Sequence, residues 1–178
     1  MTTSPTDGSV NSAAVDCAEL VDLLGRQHEE LRAGLDRIAQ LQGCAREDVF
    51  LQVRRQLAVH AALEELVIAP RTGKGTELAP LHREVEVAEA VERDSGEFDR
   101  ALARMVRAHG RHVRVQEQDH FGCLAGPLTE EERAVLEVAA RLWEGEGEAY
   151  LGSTYDRMRS VAQEQLARPE ESEPGPAG

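Results

Sequence analysis

Two histidine–carboxylate pairs, His60 with Glu64 and His82 with Glu86, are spaced i, i+4. On a helix that spacing brings both side chains to one face, roughly 6 Å apart along the axis. An imidazole nitrogen and a carboxylate oxygen directed at one point make a chelating arm for a first-row transition metal. His109 and His112 follow one turn apart, with Gln116 and Glu117 just beyond, and His28 stands alone far upstream. Burying several such groups uncompensated costs several kcal/mol per charge, so they must pair with one another or share a cation.

Whether they are buried depends on the segments that carry them. Val21, Leu24, His28, Leu31, Leu35 and Ile38 recur every three or four residues, which predicts a helix over 16–41 ending near Gly43. A second helix, over 47–69, has Val53, Leu57, His60, Glu64 and Val67 on one stripe and stops at Pro70 and the Gly73-Lys74-Gly75 turn. A third, over 79–93, opens at Pro80 and carries Leu78, His82, Val85, Glu86 and Glu89, a polar stripe for a core face. The fourth, over 97–120, reads Phe98, Leu102, Met105, His109, His112 and Gln116 before Gly122. Four long helices joined by short turns imply an antiparallel bundle, each helix placing at least one histidine inward.

Read in order, His28, then His60-Ala-Ala-Leu-Glu64, then His82-Arg-Glu-Val-Glu86, then His112-Val-Arg-Val-Gln-Glu117 resemble the hemerythrin-like (HHE cation-binding) domain family. The run from His60 to Pro70, which closes on a proline after paired glutamates, is similar to that family's second helix. The resemblance covers about residues 16–125. It implies an all-α four-helix bundle around two Fe ions joined by an oxo or hydroxo group and bridged by Glu64 and Glu117. One iron would also take His28 and His60, the other His82, Glu86 and His112. His109 and Gln116 would stand beside these ligands, and manganese or a mixed cluster would suit the same donors. The function implied is binding or reduction of a small oxidant, O2, NO or H2O2, including peroxide consumption. The alternatives are O2-dependent oxidation of an organic substrate and an iron- or O2-sensing interaction module; a reductase or other protein partner is left open.

The rest of the chain bounds these readings. Thr129 followed by Glu132 is a capping-box signal for a fifth helix to about 143, and the Gly145-Glu-Gly147 break separates it from a sixth over 149–166. This pair, within 126–167, is expected to pack on the bundle, and the ends, 1–15 and 168–178, read as tails without periodicity. His120 reads as an incidental helix-end residue. Aromatic residues are 3% of the chain, which argues against an all-β fold. A net charge of −13 argues against nucleic acid or an anionic membrane surface as a partner. No apolar run approaches a membrane span and no basic leader precedes one, so the expected location is cytoplasmic. Cys17, Cys44 and Cys123, far apart and odd in number, suggest idle thiols rather than a disulfide framework.

Overall fold

Helix-forming composition and periodic apolar stripes give a wholly helical structure, with no strand among the residues described by the computed structural model, 9–145 and 154–168. The helices are α1 (Ser9–Gln40), α2 (Gly43–Leu63), α3 (Ala79–Glu89), α4 (Gly96–Val115), α5 (Glu130–Trp143) and α6 (Tyr155–Leu166). None of them is long and apolar enough to cross a membrane.

α1 begins at Ser9 rather than at the expected Asp16, because no glycine or proline interrupts the residues between them. Residues 1–8 and 169–178 of the expected tails, and the predicted start of the sixth helix at 149, lie outside the described residues. α1 ends as expected before Gly43, whose φ of +58° a side chain would strain. The apolar stripe of α1 packs on α2 and α4.

Pro70 does not stop the second helix. After Leu63 the chain makes a π-helical turn, Glu64–Ile68, and then one more α-turn, Ala69–Thr72, in which Pro70 occupies a first-turn position where a missing N–H is harmless. The stop comes at Gly73, left-handed at φ +65°, with its N–H on the Ala69 carbonyl at 2.9 Å. α4 behaves alike: capped by Ser95, whose hydroxyl accepts from the Phe98 N–H at 3.1 Å, it passes into a π-turn, Gln116–His120, and a 3₁₀ turn, Phe121–Cys123. The two π-turns therefore start at Glu64 and Gln116, each four residues after a histidine.

The expected capping box opens α5: Thr129 accepts from the Glu132 N–H at 3.1 Å and Glu132 accepts from the Thr129 N–H at 2.7 Å. Glu132 also pairs with Arg71 at 2.6 Å, tying α5 to the end of the α2 segment. α6 lies along α2 and also meets α3, so the principal neighbours run α1, α2, α6, α3, α4 and back to α1. Its seat is polar and apolar at once: Arg159 and Gln163 reach Glu65, while Tyr155, Met158 and Leu166 are fully buried. The three cysteines form no disulfide, and the Cys17 thiol donates to the Gly126 carbonyl at 2.8 Å.

Candidate metal centre

The stripes of α1, α2 and α4 converge on His28, His60, Glu64 and His112, all buried, with one potential ligand atom from each lying within 4.8 Å of the others. Glu64 is fully buried and is the sole carboxylate of the group. His60 Nε2 stands 2.8 Å and His112 Nε2 3.0 Å from Glu64 Oε1, and the two ring nitrogens are 3.3 Å apart. Donor atoms around one ion at about 2.1 Å are separated by about 3.0 Å in an octahedron and about 3.4 Å in a tetrahedron. The triangle matches that range.

The outward nitrogens of the same rings decide what the inward ones can do. His112 Nδ1 lies 3.1 Å from the Thr76 carbonyl, an acceptor only, so Nδ1 carries the hydrogen and Nε2 turns a lone pair inward. His60 Nδ1 makes the equivalent contact with Gln27 Oε1 at 2.9 Å. With neutral rings the interior then holds two nitrogen lone pairs and a carboxylate oxygen within hydrogen-bond distance of one another and no proton between them. Such a set takes either a proton or a metal cation among its acceptors, and an N–H donated outward is the usual companion of a metal-ligating histidine.

Other buried atoms point the same way. Neither ring nitrogen of His28 has a hydrogen-bond partner, nor do Glu64 Oε2, Gln116 Oε1 and His109 Nε2. Burial, reinforced by neighbouring His60 and His112, pushes His28 down to about 2, so its ring is neutral and free to donate a lone pair. For Glu64, burial favours the neutral acid, but in the metal-free protein His60 and His112, where they carry a proton and donate it to Glu64, more than offset it and hold the carboxyl well below its ordinary range. Phe121 covers His28, with the rings near parallel at 11° and 6.4 Å between centroids.

No protein-family model matches the chain, and no curated protein or solved structure is detectably similar to it. The chemistry of this centre is therefore read from its own geometry.

Of the seven residues expected as ligands, His28, His60, Glu64 and His112 bring their donor atoms together; His82, Glu86 and Glu117 are not in that group, though His82 is near enough to feel the charges of Glu64, His112 and His60. His82 is buried on α3, but its ring stands edge-on to Tyr155 at 5.4 Å and its Nε2 has no partner. Glu86, one turn further along α3, is exposed. Glu117 is exposed too, and lines a surface cleft of about 600 Å³ with Asp22, Glu29 and Phe121. The inward residue after His112 is Gln116, fully buried, whose amide donates to Glu64 Oε1. The reason is helical arithmetic: the α-helix runs unbroken to Val115, so the fourth residue after His112 faces in, and the π-turn distorts only the positions beyond it.

His109 is buried 6.0 Å from His28, at the edge of the centre. Gln27, Thr76 and Phe121 escaped the sequence reading, and Tyr155, on the last helix, was tied to the cluster by no spacing. Gln27 is the one that carried a signal, an uncharged amide beside His28 in an otherwise charged stretch. His120, read as incidental, is buried with Nδ1 unpartnered, because the π-turn swings it inward.

Proposed function

We propose that this protein is a non-haem iron protein with a hemerythrin-like centre held between α1, α2 and α4, that binds or reduces a small oxidant such as O2, NO or peroxide. The observation that carries the metal is the arrangement of His60, His112 and Glu64: three inward acceptors at 2.8–3.3 Å, with the two rings held from outside by Gln27 and Thr76. Histidine and carboxylate donors suit iron or manganese, and iron bound there would supply the electrons that small oxidants need.

The chain's own residues supply the rest. Gln27 and the Thr76 carbonyl fix ring orientation, Phe121 and the surrounding aliphatic side chains limit water, and His109, with a free Nε2, can hold or release a proton beside the centre. Four protein ligands leave at least one position of a five- or six-coordinate ion open to an exogenous ligand. A sensing role draws support from one contact: Tyr155 brings α6 against His82, linking the seating of that helix to the neighbourhood of the centre.

The test is metal content and visible spectrum of protein expressed with iron, before and after peroxide. Bound iron, a spectrum that changes with peroxide, and loss of both in Glu64→Gln are expected. A folded helical protein that takes up no metal would refute the reading.

A further inference from the structure

Resting on the metal-binding reading, we propose that the centre holds a single ion rather than a bridged pair, with His28, His60, Glu64 and His112 as its complete protein ligand set. Size is the first constraint. All four donor atoms fit within 4.8 Å of one another, about the span of one coordination sphere, in which opposite ligands at bonds of about 2.1 Å stand about 4.2 Å apart. Two ions about 3.5–4 Å apart need terminal donors spread well beyond that.

Charge argues the same way. One carboxylate among three neutral imidazoles leaves a single divalent ion with a net charge of about +1, but a divalent pair with about +3, or about +2 with a bridging hydroxide, and each uncompensated buried charge carries a heavy desolvation penalty. Where a pair would require a second anionic bridge the chain places Gln116, whose amide donates to Glu64 Oε1 instead of offering a negative oxygen.

The groups that would hold a second ion are otherwise placed. Glu86 and Glu117 face solvent. His82 lies against Tyr155, a fully buried side chain from α6, the helix that enters between α2 and α3. The C-terminal helix thus occupies the side of the interior from which α3 would contribute.

The full-length protein, loaded without oxygen with excess Fe(II) and separately with Mn(II), then desalted, gives the stoichiometry by elemental analysis. One ion per chain is expected, with a ferric form that shows the paramagnetic resonance of an isolated half-integer spin, since a coupled ferric pair is silent. Glu117→Gln and Glu86→Gln should retain that ion, and Glu64→Gln, close in shape and checked for helicity by circular dichroism, should lose it. Two ions per chain, or loss of metal in Glu117→Gln or Glu86→Gln, would overturn the single-ion centre and leave the metal-binding reading standing. No metal in the folded wild-type protein would remove both.

Discussion

At the scale of single residues, the proposed metal centre depends on amides as much as on its histidines and Glu64. Gln27 accepts from His60 Nδ1 and so fixes which nitrogen faces inward. Gln27→Leu keeps the bulk and removes the acceptor, so His60 loses its orientation. Metal affinity is expected to fall about 10–100-fold, the usual cost of losing such a partner, as a competitive chelator titration would show. Gln116→Glu sets two opposing effects against each other. A second buried carboxylate beside Glu64 destabilises the metal-free protein by about 3 kcal/mol, yet adds an anion at the centre. The expected signature is a lower melting temperature without metal and tighter binding with it; a fall in both would mean that position 116 does not face the ion. Sequence alone told much of this centre: His28, His60, Glu64 and His112 are all legible from helical spacing. The choice between Gln116 and Glu117 was not, because a family spacing and regular helical geometry point to different residues, and only the location of the π-turn separates them.

At the scale of elements, the stripes of α1 and α4 were readable because each repeats at 3.6 residues over several turns, whereas α2 is buried on every side from Gln56 to Leu63. The π-turns were not, since no composition marks them, and Pro70 looked like an end while it sits one turn before the end. Such wide turns recur at functional sites, and here each begins at a residue of the centre, Glu64 or Gln116. How closely α1 and α2 approach is set at Gly34: a Cβ there would meet Val53 Cγ2 at 2.6 Å. Gly34→Ala improves helix propensity by about 1 kcal/mol but forces apart the two helices that carry His28 and His60. Overpacking costs typically about 1–3 kcal/mol, so net destabilisation is expected in denaturant titration, accompanied by weaker metal binding. Stabilisation would mean that Val53 yields freely and the helix spacing is set elsewhere.

At the scale of the whole molecule, six helices were legible, but the position of α6 was not, because its contacts with α2 and α3 are tertiary and its anchor to Glu65 is a pairing far apart in sequence. The whole molecule also sets how acid acts on the metal-free protein. Burial, and then nearby positive groups, lowers His82 and His109 to about 4 and His28 to about 2. The same residues in the unfolded chain titrate near about 6.5. Between that value and about 4 the unfolded state binds more protons than the folded one, so stability falls as pH falls. Glu64, held low in the fold, adds a loss of the same sign below the ordinary carboxylate range. The overall charge works in the opposite direction: at −13 the fold repels itself near neutrality, and mild acid relieves that repulsion. Thermal melts of the metal-free protein are therefore expected to be level above pH 7 and to drop steadily from about 6.5 toward 4. Added metal should move the drop to lower pH, because a bound ion competes with protons for His28 and Glu64 and binds only the fold. A melting temperature that holds or rises down to pH 5 without metal would show that relief of repulsion outweighs the histidines.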